Sequence, residues 1–581
     1  MANIAKLLTE HIDIWTAADT EKKSGRGRAS GNAGSVYGVK KLRELILELA
    51  VRGKLVPQDP NDEPASELLK RIQAEKAKLI AEGKLKKEKP LAPIGEDEKP
   101  FALPMGWGWV RFSEFVLSIM SGGTPSKNNP DYWNGNVPWA SVKDLNVEKY
   151  LEKTEDFITE AGLLAGSKLA NKGDLIICTR MGLGKIAIAS LDVAINQDLK
   201  SLKLTTFLSV DYFIKFYSTL KIAGSGMTVA GIRQEELLGY CVPLPPLAEQ
   251  HRIVAKVDEL MALCDQLEQQ HSNAQEAHET LVSQLLATLT QSQNQNAAEF
   301  NANWQRIYAH FDVLFTTEAS IDALKQTLLQ LAVMGKLVPQ DPSEIPASEL
   351  LKRIQAEKVK LIAEGKLKKE KTPTPIEKDE KPFELPQGWE WAKVLDCSIF
   401  VTDGEHLTPQ RTSDGLVPLV TAKNVRDGYM DYEDTDFVDV TVADKCWKRC
   451  KPEQGDLLMV SVGATLGRLT VLLESKDMVI VRSVTLIRPC LLSPLYLFNA
   501  IKSPLIQKAI WSSVRQMAQP GLYLAQSSNL VFPLPPLEEQ HRIVAKVDTL
   551  MALCDQLKTR IQQANQQQQA IANALVAQAV I

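Results

Sequence analysis

Residues 243–268 read PLPPLAEQHRIVAKVDELMALCDQLE, and residues 533–558 read PLPPLEEQHRIVAKVDTLMALCDQLK. Only Ala248/Glu538, Glu259/Thr549 and Glu268/Lys558 differ. A second pair precedes the first: ASELLKRIQAEKAKLIAEGKLKKEK at 65–89 returns at 347–371 with Ala77 replaced by Val359. His11-Ile-Asp-Ile-Trp15-Thr16 is echoed by His310-Phe-Asp-Val-Leu-Phe315-Thr316, so the duplication reaches almost to the start. The segments between, 109–243 and 391–533, share little beyond isolated turns, and the second is eight residues longer. Near-identical frames therefore surround two divergent inserts. Such a chain offers two different heads on equivalent mounts to a symmetrical partner.

A long helix is expected after each Pro-Leu-Pro-Pro. Ile253, Val257, Leu260, Cys264, Leu267, His271, Ala274, His278, Leu281 and Leu285 recur at alternating steps of four and three. The second copy gives Ile543, Val547, Leu550, Cys554, Leu557, Ile561, Ala564, Gln568, Ile571 and Leu575. Sustained heptads of this kind predict coiled coil. Some 40 residues make a rod of roughly 60 Å. Two rods from equivalent units pack antiparallel if a two-fold axis relates the units. His271, His278 and Gln568 fall on the seam, where they set register better than they serve a metal or a reaction.

Ahead of each insert, 40–52 and 323–334 carry leucines at helical spacing and stop at Gly53 and Gly335. Ser66 and Ser348 are expected to N-cap short charged helices that end near Gly83 and Gly365. The Lys runs at 84–89 and 366–371 are solvated faces before they are DNA contacts, and the Pro-rich strings after them are extended straps. The Gly- and Ser-rich stretch 21–35 is expected to be a mobile linker. Each insert opens with Leu-Pro-x-Gly-Trp, at Leu103 and Leu385. It continues in short β-rich runs (Leu175–Cys178, Ile186–Ala189; 457–462, 469–473, 479–487) and then a helix, at 212–222 and 493–502. These features predict an α+β chain in tandem duplication with pseudo-two-fold symmetry. Two mixed α/β domains of about 140 residues are separated by long antiparallel coiled-coil helices. The segments are an N-terminal frame region 1–102, a first head 103–242, a central frame region 243–385, a second head 386–532 and a C-terminal helix 533–581.

An apolar fraction of 44% and a charged fraction of 24% are ordinary for a soluble protein. The first residues lack a signal-peptide pattern, and no run of about 18 apolar residues exists to span a membrane. Eight cysteines are scattered, and Cys446-x-x-x-Cys450 has no second pair to complete a zinc site. They point to reduced thiols in a cytoplasmic protein. A formal charge of −4 does not advertise nucleic acid, although a basic patch can sit on an acidic chain. GxxxxGK[ST], HExxH and GxSxG are absent. Asn129-Pro-Asp-Tyr132 resembles the Asn-Pro-Pro-Tyr of amino-methyltransferases but lacks the second proline and a nucleotide loop. Helix initiation or a docking surface explains His251 and His541 better than catalysis. The chain is expected to catalyse nothing itself.

The doubled PLPPLxEQHRIVAKVDxLMALCDQL, each copy following a variable globule opened by LPxGW, resembles the specificity subunit of type I restriction-modification enzymes, of the longer kind with duplicated frame regions. The first head adds Ser121-Gly-Gly-Thr-Pro125, Tyr132-Trp-x-Gly, Val137-Pro-Trp139, Gly173-Asp-Leu and Asn196-Gln-Asp-Leu199. The second adds Asp403-Gly-x-His406-x-Thr-Pro409, Gly455-Asp-Leu and Gly463-x-x-x-Gly467. All are similar to that family's target recognition domains. A Gly-rich insertion near 17–39 in the first unit has no counterpart in the second.

The resemblance implies that the two heads each read one half of a bipartite site in double-stranded DNA. It implies that the frame helices set the spacer and bind two modification (methyltransferase) subunits, and that two restriction (motor–nuclease) subunits complete the endonuclease. S-adenosylmethionine, ATP and Mg2+ then belong to those partners and none to this chain. Side chains that hydrogen-bond base edges are sought on loops. Thr124, Ser126, Lys127, Arg180, Lys185, Asn196, Gln197 and Arg233 are the candidates in the first head. His406, Thr408, Gln410, Arg411, Arg468, Arg482, Gln516 and Gln519 are those in the second. The rival readings are a coiled-coil scaffold whose heads bind something other than DNA, and a methyltransferase or nuclease in its own right.

Overall fold

A computed structural model describes residues 11–17, 36–85, 91–220, 222, 231–290, 297–367, 375–412, 415–514 and 520–580. The stretch 21–35, most of each Lys run, and Gln516 and Gln519 lie outside the described residues. The chain divides into two compact units, 1–273 with 564–581, and 274–563.

Each unit is built on the frame. In the first, the arm helix Tyr37–Val51 turns its leucines inward, and Arg52 is followed by Gly53 at φ +67°, the left-handed end a glycine tolerates. Leu42, Leu45 and Leu49 share one core with Ile253, Val257, Leu260 and Cys264 of the first rod, Leu247–Thr290. Ala572, near the end of the second rod, Leu537–Val580, closes the same core. Arg43 Nη2 bridges Asp265 at 2.7 Å and Glu268 at 2.9 Å, and the Tyr37 hydroxyl donates to Asn573 at 2.9 Å. In the second unit the arm helix Glu318–Val333 places Leu324, Leu328 and Leu331 against Val282, Leu286, Leu289 and Cys554. Lys558 there bridges Asp322 at 2.9 Å. The start of one rod and the end of the other thus meet within each unit, the pairing that antiparallel rods give.

The seam departs from the heptad written in the sequence. Inward positions of the first rod run 253, 257, 260, 264, 267, 271, 275, 278, 282, 285 and 289. Two consecutive steps of four, 267 to 271 to 275, replace the expected four and three. Ala274 is therefore exposed and Leu281 is 49% exposed, while Val282 and Leu289 are buried. The second rod slips at the same place: Ala564 is exposed, Ile571 is 43% exposed and Ala572 is buried. Each slip is a four-residue stutter, which a coiled coil absorbs by local unwinding. His278 keeps its seam position and pairs Nε2 with the Leu314 carbonyl at 3.0 Å. Gln568, its counterpart, buries Oε1 with no hydrogen-bond partner among the described residues.

Ser66 and Ser348 are not N-caps. The helices Ala65–Ala81 and Ala347–Ala363 start two residues earlier than such caps would place them, behind Pro64 and Pro346, with no side-chain cap. Their first amides donate instead to carbonyls of the Leu-Pro-x-Gly-Trp turns, Ala65 N to Gly106 O and Ala347 N to Gly388 O, both at 2.8 Å. A backbone acceptor fixed by tertiary structure has made the serine unnecessary.

The two inserts share a fold that their sequences do not declare. In the first head one sheet orders Val116–Ser121, Leu199–Leu204, Leu175–Cys178, Ile186–Ala189 and Tyr150–Leu151. The second head orders Ser398–Asp403, Val484–Pro489, Leu457–Val460 and Leu469–Val471 in the same sense. A second sheet pairs Trp133–Ala140 with Asp156–Ile158 antiparallel and with Val193–Ile195 parallel. Val417–Val420 does the same with Asp436–Val438 and Val479–Ile480. Helices Val210–Thr219 and Pro494–Lys502 follow, and a two-stranded ribbon closes each head, Gly108–Arg111 with Cys241–Leu244 and Glu390–Lys393 with Val531–Leu534. Alternating apolar residues satisfy this pleat in many sequences, so the repeat survives in topology alone.

Candidate nucleic-acid interface

The heads are locked to the frame identically. The buried Glu249 carboxylate accepts from Trp107 Nε1 at 2.9 Å on one oxygen and from Gln58 Nε2 at 3.1 Å on the other. Gln250, fully buried beside it, accepts from the Ser209 amide at 2.8 Å and so holds the start of the head's helix. Arg252 Nη2 reaches Asp62 at 2.6 Å. In the second unit Glu539 receives Trp389 at 2.9 Å and Gln340 at 3.2 Å, Gln540 receives Ser493 N at 2.9 Å, and Arg542 pairs with Glu344. Burial raises both glutamates above the ordinary carboxylate range, although the Trp and Gln donors pull the other way. Of Glu-Gln-His-Arg, only the histidine is left outside, for His251 and His541 are exposed.

Within the first head, the Gly-Gly-Thr and Asn-Gln-Asp-Leu segments meet. Gly122 N donates to Leu199 O at 3.2 Å and Gly123 N to Ile195 O at 2.9 Å. A side chain at Gly122 would collide with the Ile195 and Asn196 carbonyls. The contact sets Thr124 against Gln197, whose Nε2 donates to Asp198 Oδ2 at 3.3 Å. Asn196 Nδ2 lies 3.3 Å from the same oxygen, and Arg180 Nη1 is 3.7 Å from Asp198 Oδ1. Three of the eight candidates, Arg180, Asn196 and Gln197, therefore converge on one buried carboxylate, and Thr124 joins them through Gln197. Asn196 is itself buried and works as scaffold, while Arg180 and Gln197 are exposed. Lys185 stands at the edge, its Nζ 2.6 Å from Asn146 Oδ1. Ser126 gives its carbonyl to Trp133 Nε1 at 3.1 Å; Lys127 and Arg233 are exposed, the latter at the start of the helix Gln234–Gly239.

Backbone hydrogen bonds align the second head with the first. Gly404 N donates to Val484 O as Gly122 N does to Leu199 O, and Glu405 N to Ile480 O as Gly123 N to Ile195 O. Thr179 N to Asp198 O corresponds to Ser461 N to Ser483 O, and Cys178 N to Lys185 O corresponds to Val460 N to Arg468 O. His406 thus stands where Thr124 does, Arg482 where Gln197 does, Arg468 where Lys185 does and Val462 where Arg180 does. His406 Nε2 lies 2.9 Å from Asp403 Oδ2, with Arg449 on the same carboxylate. Arg411 pairs with Asp436 at 3.1 Å, Thr408 and Gln410 are exposed, and Arg468 is half-buried. Arg482 is exposed; its backbone N–H donates to Glu405 O at 3.0 Å.

Sequence inspection passed over several residues here. Lys200 sends Nζ to Ser121 Oγ at 2.6 Å and to Gln234 at 3.2 Å, and Arg449 joins the His406–Asp403 pair. Tyr523, 58% exposed, takes the place of Arg233, since Ile232 N donates to Thr179 O as Leu522 N does to Ser461 O. None belongs to a repeated or punctuated motif, so only the strand register could reveal them. The Gly-Asp-Leu motifs are structural. Gly173 and Gly455 take φ near +90°, and Asp174 and Asp456 accept the Asn171 and Glu453 amides at 3.0 and 2.8 Å. Asn129 likewise accepts from Asp131 N at 3.1 Å, an ordinary turn cap. Among the described residues no helix is long and apolar enough to cross a membrane.

The family model for the type I restriction modification DNA specificity domain matches residues 104–276 and again 412–566. The specificity subunit of the type I restriction enzyme EcoAI of Escherichia coli is 39% identical, over all of both chains. That of EcoEI, also from Escherichia coli, is 38% identical over 98% of this chain and 99% of its own. A chain of a solved type I R-M system overlaps 83% of this chain at 19% identity and a TM-score of 0.42. The HsdS subunit from Thermoanaerobacter tengcongensis overlaps 83% at 18% identity and a TM-score of 0.35. The structural overlaps add nothing to the assignment, which rests on the two family-model matches and the full-length identities. On those grounds the chain belongs to the family of type I restriction-modification specificity subunits.

Proposed function

We propose that each head reads one half of a bipartite DNA site and that the frame presents the two heads to a pair of identical methyltransferase subunits. The observation that carries this reading is one fold used twice, mounted through the same Trp–Glu–Gln lock, with different polar side chains at equivalent turns. Gln197 against Arg482, Thr124 against His406 and Arg180 against Val462 give the two heads different hydrogen-bonding faces. Gln suits adenine and Arg suits guanine in the major groove. Lys127, Arg233, Gln410 and Arg411 then position the backbone or neighbouring bases.

The rods act as a ruler between the heads, and the exposed frame residues that are identical in both copies, His251 and His541 among them, give two equivalent docking surfaces. The chain itself is non-catalytic. S-adenosylmethionine serves the methyltransferase subunits, ATP and Mg2+ serve two motor–nuclease subunits, and base flipping falls to the bound methyltransferase. The work is done on duplex DNA in the cytoplasm.

The test is to assemble the chain with its methyltransferase subunit and select bound duplexes from a random library at fixed salt. A site of two specific blocks separated by a non-specific spacer is expected, with two partner subunits per chain by native mass measurement. Retention of DNA without sequence preference, or a one-to-one complex at saturating partner, would reject the reading.

A further inference from the structure

The turn that carries Arg180 holds an exposed apolar side chain in a backbone conformation that L residues adopt at a cost. Met181 has φ +58° and is 70% exposed. The conformation is imposed from below. Cys178 Sγ donates to the Arg180 carbonyl at 2.8 Å. Gly182 is seated so closely that a Cβ there would lie 2.7 Å from Val142 Cγ1 and 3.1 Å from Cys178 Sγ. At the corresponding place the second head has Gly463, at φ +99°, with open space where a Cβ would stand. A glycine is what the turn itself favours. The first head instead carries a thioether that is mostly in solvent, so folding gains little in return for the strain. Strain held at an exposed position by an over-determined surround is characteristic of a functional residue.

The surroundings indicate the ligand. Met181 adjoins Arg180, which with Thr124 and Gln197 forms the polar cluster around Asp198. A methionine has no donor and only a weak acceptor. It therefore adds to a base-reading surface by apolar contact, and the apolar group on a major-groove base edge is the thymine C5-methyl. We propose that Met181 is a specificity-determining residue of the first head, its side chain lying against a thymine methyl in the first half-site. This rests on the reading that the heads bind DNA.

The experiment uses the chain assembled with its methyltransferase subunit and the selected duplex. Each thymine of both half-sites is replaced in turn by deoxyuridine, which removes only the methyl. Wild type is expected to lose about fourfold in affinity at one thymine of the first half-site, the worth of one buried methyl group. Met181→Gly is expected to bind the unmodified site about that much more weakly and to show no further loss with deoxyuridine at that position. Its response at the second half-site should match wild type. Met181→Leu, still apolar, should keep the deoxyuridine sensitivity. Because glycine suits the turn, the melting temperature of Met181→Gly should stay within about 1 °C of wild type, less than a 1 kcal/mol loss would move it.

Losses that are additive at every thymine, a selected first half-site without thymine, or equal weakening on all sequences would each overturn the proposal. If the wild-type complex selects no bipartite site, it is the DNA reading that has failed, and the two failures are distinct.

Discussion

Leu281 and Leu286 lie five residues apart in the first rod, and truncating each to alanine should have very unequal consequences. Leu286 is 3% exposed, in the core with Leu324 and Leu328. Removing a buried isobutyl group costs its transfer free energy and leaves a cavity, together about 2–5 kcal/mol. Leu281 is 49% exposed, so much of its surface is already in water, and alanine is the better helix former. Leu281→Ala should change stability by less than about 0.5 kcal/mol. The unit spans residues 274–563. At roughly 2.1 cal/mol/K per residue its unfolding entropy is about 0.6 kcal/mol/K. A loss of about 3 kcal/mol at Leu286 then lowers the melting temperature by about 5 °C, against under 1 °C for Leu281→Ala. Calorimetric scans of both variants beside wild type decide it. Had the heptad run on unbroken from Leu267, Leu281 would sit in the seam and the larger loss would be its own. That outcome would refute the stutter.

Glu249→Gln should destabilise the first lock by about 1–3 kcal/mol, because an amide accepts on one oxygen only and its nitrogen would face the Gln58 or Trp107 donor. Burial raises Glu249 and Glu539, so their ionisation favours the unfolded chain. The resulting contribution to stability is full below the ordinary glutamate range and is lost as pH rises through the folded value. The stability gap between wild type and the Glu249→Gln/Glu539→Gln double variant should therefore be widest below pH ~4.5 and narrow toward neutrality; a gap that widens as pH rises would contradict this. Gln568→Leu, which removes a buried acceptor with no hydrogen-bond partner among the described residues, should raise the unfolding midpoint by the equivalent of about 1 kcal/mol or more. Arg482→Ala should relax one base preference of the second half-site by about 1–3 kcal/mol and leave the first untouched. Uniform weakening with a reduced salt slope would make Arg482 a phosphate contact instead.

The frame was legible in the sequence because it is repeated nearly residue for residue and governed by helical period. The arm helices, their glycine ends and the first half of each seam stand where the spacing of Leu42, Leu45 and Leu49 or Ile253, Val257 and Leu260 puts them. Between His271 and His278 the seam is polar, and either continuation fits the letters; the packing around Val282 and Leu289 chose the stutter. The shared fold of the heads was hidden because sheet pairing is non-local and period-two patterns recur without any common residue. Of the candidate contacts, the Thr124–Gln197–Arg180 cluster follows from punctuation by Gly122, Gly123 and Asp198. Met181 and Tyr523 carry no such mark. Asn196 has the right chemistry for a base contact but is buried as scaffold, which composition alone does not disclose.

The central claim is that the two heads are interchangeable readers on equivalent mounts. Replacing residues 107–242 with residues 389–532 gives a chain that carries the second head twice, with both Trp–Glu–Gln locks retained. Site selection with the methyltransferase partner should then return a site whose two halves both have the sequence of the original second half-site. A site that keeps the original first half-site, or a folded complex that no longer distinguishes DNA sequences, would contradict the account.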